Sequence, residues 1–112
     1  MKQSKLIDLL KKLETRERTK FRELVFSPFF NKNKKIQALC AYILSYAPHF
    51  DHPDLKKSVI YPSVFGKEPY SELRINNVIS DLLRLLYEYL ALRKYQETPQ
   101  LQKSLSYFLY DF

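Results

Sequence analysis

Apolar residues recur along most of this chain at the three- and four-residue spacing of a helix surface. Over residues 4–13, Leu6, Leu9, Leu10 and Leu13 share one stripe while Lys5, Asp8, Lys11 and Lys12 lie off it, which predicts an amphipathic helix with Ser4 as its N-cap. Phe21, Leu24 and Val25 repeat the spacing after Thr15. Ser27-Pro28 ends this second helix, because a residue before proline is pushed out of the α region. Ile36, Leu39, Cys40, Ile43, Leu44 and Ala47 then mark a third helix, capped by Asn31 or Asn33 and ended by Pro48.

Residues 49–70 hold three prolines and the chain's single glycine, yet Leu55, Val59 and Ile60 fit a short helix that begins near Pro53 and fails at Pro62. Val64 and Phe65 are expected to tuck inward before Gly66 turns the chain. From Ser71 or Glu68 as cap, a run to Gln96 contains neither proline nor glycine, and Ile75, Ile79, Leu82, Leu86, Tyr89 and Arg93 are spaced 4-3-4-3-4. Leu83, Leu85, Leu90 and Leu92 add a second apolar face, so residues 73–92 are expected to be the central strut of a bundle. Thr98 and Pro99 open a last helix that carries Leu101, Leu105, Phe108, Leu109 and Phe112 on one stripe, with Tyr107 and Tyr110 beside it. That stripe lacks a stop signal and asks for more partners, supplied by its own bundle, by the rest of a longer protein, or by a second copy.

The stretch SPFFNKNKK at residues 27–35 places two phenylalanines at a corner between helices. They are either a plug for the core or an anchor for a partner. Burying one is worth roughly 1.5–3 kcal/mol, which predicts an asymmetric pair with one ring inward and the other beside Lys32, Lys34 and Lys35.

Composition agrees with helices: of 112 residues, 46% are hydrophobic and only one is glycine, too few for the turns of an all-β chain. The expected fold is therefore an all-α, single-domain bundle of five or six helices, spanning residues 1–112 or forming the N-terminal domain of a longer protein. The longest apolar stretch, residues 82–92, is broken by Arg84 and Glu88 and is too short to span a bilayer. One cysteine cannot form an intrachain disulfide, so a cytoplasmic location is expected.

The same composition disfavours catalysis. One glycine cannot build a phosphate-binding loop, and Glu68, Glu72 and Asp81 are separated acids better suited to caps and solvated faces than to general acid-base work. Cys40 lies on an apolar stripe, as a small buried hydrophobe does. His49, Asp51, His52 and Asp54 form the one cluster of metal-ligand residue types, but Pro48 and Pro53 bracket it and the expected role is a turn in which Asp51 caps the next helix. Neither cofactor, metal, membrane nor small-molecule substrate is expected.

Charge is unevenly placed. Residues 1–35 carry eleven Lys and Arg against four acids, whereas residues 36–112 carry eight of each, so the net charge of +7 is wholly N-terminal. Lys11, Lys12, Arg16, Arg18, Lys32, Lys34 and Lys35, interleaved with aromatics, are candidates for phosphate contact in a nucleic-acid-binding domain. Against this, Glu14, Glu17 and Glu23 alternate with the basic residues in the manner of paired surface charges. Tyrosine accumulates toward the C-terminus, and tyrosine suits interfaces because a large apolar ring carries a hydroxyl that tolerates water. Tyr87, Tyr95, Tyr107, Phe108, Tyr110 and Phe112 are thus candidates for a protein interface or for self-association.

The SPFFN step, the phrase F-G-x-x-x-Y at Phe65, Gly66 and Tyr70, and the run S-D-L-x-x-L-L at Ser80, Asp81, Leu82, Leu85 and Leu86 together resemble a family of uncharacterised proteins from Bacteroidota. The resemblance covers most of the chain and implies a longer parent protein. It implies no activity and assigns no functional residue.

Overall fold

A computed structural model describes residues 2–96, which form helices α1 (Lys2–Lys12), α2 (Thr15–Phe26), α3 (Lys34–Leu44), α4 (Lys57–Phe65) and α5 (Glu72–Gln96), with a 3-10 turn at Pro53–Leu55. No strand occurs among these residues, so the fold is an all-α bundle. The helix expected over residues 98–112 lies outside them.

The long helix is central: α5 packs against α1, α2, α3 and α4. Its 4-3 stripe is the reason, since Ile75, Ile79, Leu82, Leu86 and Tyr89 are all buried, and Arg93 at the end of the stripe forms an ion pair with Glu17 of α2. Leu83 and Leu85 are buried as well, as a helix packed on more than one side requires. Leu73 departs from the expected strut, being 71% exposed. It precedes Ile75 by two residues, which at 3.6 residues per turn places it on the opposite face.

Local chemistry sets the remaining ends. Asn33, not Asn31, caps α3, its Oδ1 accepting from the backbone N–H of Lys35 (2.9 Å) and Ile36 (3.3 Å). Asn31 instead ties the corner together, donating through Nδ2 to the Val25 carbonyl at 3.0 Å and accepting from the Asn33 N–H. α3 stops at Leu44, three residues earlier than its stripe suggests. There the Ser45 hydroxyl donates to the Tyr42 carbonyl at 2.6 Å, and the chain tightens into turns that lead to a cis Ala47-Pro48 bond.

Pro62 does not end a helix. It sits inside α4, with its ring exposed, while Ile60, Tyr61 and Phe65 on the other faces are buried. Packing against α3, and the Tyr61 hydroxyl donating to the Pro69 carbonyl at 2.8 Å, hold the helix against the lost backbone hydrogen bond. Phe65 therefore enters the core from the helix itself. Gly66 closes it at φ 66° and ψ −129°, a conformation that side chains other than glycine resist.

The phenylalanine corner is asymmetric. Phe30 packs against the core, whereas Phe29 is 57% exposed and meets Phe30 edge-on with centroids 5.0 Å apart. Phe30→Ala is accordingly expected to cost about 1–2 kcal/mol and Phe29→Ala under about 0.5 kcal/mol in urea denaturation. Equal losses would contradict this division of labour.

Candidate functional site

Among the residues in which sequence alone finds chemistry, the structure turns several inward. Cys40 is buried on α3, and burial pushes its thiol up to about 12, only partly opposed by the Arg22 charge. The folded thiol keeps its proton where the unfolded one, with an ordinary value of 9.0, loses it. Stability should therefore fall as pH rises through the window between those values. A thiol reagent such as dithionitrobenzoate should label Cys40 in urea but not in native buffer; rapid native labelling would show that the thiol is reachable.

The histidine cluster is a brace. His52, in the place expected for Asp51, caps the 3-10 turn by accepting from the Asp54 N–H at Nδ1 (3.1 Å). Tyr42 and Tyr46 both reach Asp54, the first donating to its carbonyl at 2.9 Å and the second to its carboxylate at 3.3 Å. Among the described residues no group of three His, Cys, Asp or Glu side chains is placed to hold a metal ion.

Arg18 is removed from the set of candidate phosphate contacts. It is 7% exposed, and its guanidinium donates to the carbonyls of Leu10 (3.3 Å) and Leu13 and to the Thr15 hydroxyl (3.2 Å). Leu10, in the last turn of α1, already accepts from the Leu13 N–H, so Arg18 adds a second donor there, supplies one to the Leu13 carbonyl just past the helix, and sits at the negative end of the helix dipole. Its other face lies 5.8 Å from the centroid of Phe50, a buried ring held at φ 54°.

The other basic candidates do not form one surface. Lys11, Lys12 and Arg16 are exposed where α1 meets α2, whereas Lys32, Lys34 and Lys35 are exposed where α2 meets α3. The 12 residues of α2 separate the two groups by roughly 18 Å. Lys35 leans over the Phe65 ring at 5.0 Å.

Among the interface candidates, Tyr87 is 43% exposed, with Lys5 5.7 Å over its ring. The side chains of Tyr95, Tyr107, Phe108, Tyr110 and Phe112 fall outside the described part of the structure.

What the sequence did not disclose is a groove of about 510 Å³ between α2 and α3. Thr15, Arg18, Thr19 and Arg22 form the α2 side, and Ala41, Leu44 and Ser45 the α3 side, with Ala47 and Pro48 closing one end. The start of α2 thus lies beside the end of α3, so the two helices are antiparallel. No acidic side chain is among these lining residues. The one signal in the sequence was the small Ala47 on the stripe and Ala41 beside it, a cue to close approach that periodicity does not record. Arg22 lies 4.7 Å over the Phe26 ring, which is itself 39% exposed.

No family model, curated protein or solved structure matches the chain. Among the described residues no helix is long and apolar enough to cross a membrane.

Proposed function

We propose that this domain is a non-catalytic protein-interaction module working in the reducing cytoplasm, and that its α2/α3 groove is the principal contact surface. The observation that carries this reading is the groove itself, an open channel in which the apolar Ala41, Leu44, Ala47 and Pro48 face Thr15, Arg18, Thr19, Arg22 and Ser45. Apolar floors with a few placed polar groups are what peptide segments bind. Outside the groove, Tyr87, Phe29 and Tyr70 are further exposed rings of the kind interfaces favour.

Affinity purification from the native host tests this, run with wild type and Ala41→Phe and with a nuclease-treated arm. Proteins retained by the wild type, lost with Ala41→Phe and indifferent to nuclease are expected. Recovery that vanishes with nuclease would overturn the reading in favour of nucleic-acid binding. That second reading draws on one corner, where Arg22 stacks on Phe26 and the exposed Phe29 stands near Lys32 in sequence.

A further inference from the structure

We infer that the α2/α3 groove receives an amphipathic helix from another protein, with its apolar stripe on Ala41 and Leu44 and an acidic flank against Arg22. This inference rests on the interaction reading and adds the chemistry of the partner. Length comes first: on α2 the groove runs from Thr15 to Arg22, roughly 11 Å at 1.5 Å per residue, room for about two turns of a third helix. Depth follows from side-chain size, since alanine at positions 41 and 47 lets a backbone approach to the 8–10 Å interaxial distance of packed helices.

Charge selects the partner. No acidic side chain lines the groove: α3 has none in KKIQALCAYIL, and of the two α2 acids Glu17 is paired with Arg93 while Glu23, next to Arg22 in sequence, lies outside the lining. Arg22, whose guanidinium carbon lies 4.7 Å over the Phe26 ring, is exposed and offers a planar N–H fork that a carboxylate matches in a way that a point charge does not. A second copy of this chain is the wrong occupant, because each copy carries a net charge of +7 and opposes another basic face. Residues 98–112 are also a poor match, with Asp111 their only acid and Lys103 beside it in the count. None of the lining residues is aromatic, so a nucleic-acid base would find a ring only at Phe26 beyond the groove.

The test uses the full chain and a labelled peptide of about three heptads, longer than the groove because short isolated helices are marginal in water, with leucine along one stripe and glutamate on the flanks. Versions with lysine or glutamine in place of glutamate, a scrambled sequence and a single-stranded oligothymidine serve as comparisons. Fluorescence anisotropy should show binding of the acidic peptide, weakened at least about tenfold by Arg22→Glu and by Ala41→Phe, with circular dichroism confirming that both variants are folded. The lysine peptide should bind only to Arg22→Glu, and amide shifts in the wild type should cluster along the facing sides of α2 and α3. Equal binding of the glutamine and glutamate peptides, still lost in Ala41→Phe, would keep the interaction reading and overturn the acidic partner. Binding of oligothymidine alone would overturn both. Absence of binding by the acidic peptide at about millimolar concentration, or affinity unchanged in both groove variants, would overturn the inference.

Discussion

Arg18→Ala should lower the unfolding free energy by about 3 kcal/mol. The side chain is nearly buried, and its guanidinium serves the Leu10 carbonyl of α1, the Leu13 carbonyl just past it and the Thr15 hydroxyl. Hydrogen bonds made by a charged donor are worth about 1.5–3 kcal/mol each in favourable cases, and stranding buried carbonyls adds their desolvation cost. The loss would also uncover one face of Phe50, whose left-handed backbone persists because its ring is buried at this corner. Arg18→Met isolates the polar part of the effect. It keeps most of the apolar stem, so it should recover only a minority of the loss. Urea titrations of both variants decide the matter: changes under about 0.5 kcal/mol would mean that Arg18 is an ordinary surface residue.

Phe21→Ala should be the most damaging single truncation considered, at about 3–5 kcal/mol. Phe21 is fully buried between α2 and α5, and its ring meets Tyr89 with centroids 5.8 Å apart at an interplanar angle of 57°. The cost combines lost apolar burial with a cavity that neighbouring helices can close only in part. A domain of this size has only about 5–15 kcal/mol to lose, so the variant should melt far earlier than wild type. Phe21→Leu, which fills more of the space, should cost less than half as much. A double-mutant cycle with Tyr89→Ala should show a coupling of about 0.5–1.5 kcal/mol, and strict additivity would mean that the two rings act independently. Because α2 forms one side of the groove, peptide binding by Phe21→Ala should fail together with its fold, whereas Ala41→Phe should separate the two.

Much of the architecture was legible along the chain. Each of the five described helices falls on a segment marked by an apolar stripe, although α3 ends three residues early and α4 starts later than Pro53 and runs through Pro62, and Pro28 ends α2 as its restriction of Ser27 requires. The inequality of Phe29 and Phe30 followed from counting how much apolar surface one corner can bury. These features are local, because a stripe, a cap or a stop signal is complete within a few residues.

Arg18 shows where local reasoning ends. Its charge and its place in a basic run suggest a solvated residue, yet the carbonyls that claim it, Leu10 and Leu13, lie at and just past the end of the preceding helix and become its neighbours only when α1 and α2 fold against each other. Pro62 is similar: alone it would break a helix, but burial of Ile60, Tyr61 and Phe65 outweighs one lost backbone bond. The basic residues that read as one field are divided between the two ends of α2. The groove depends most on tertiary structure, since residues 15–22 meet residues 41–48 only through antiparallel packing. Sequence by itself therefore determined which segments are helical and which of their faces seek the core. Only the assembled bundle decided which polar groups are spent inside it and which surface is left to bind, because those outcomes depend on contacts between residues far apart in the chain.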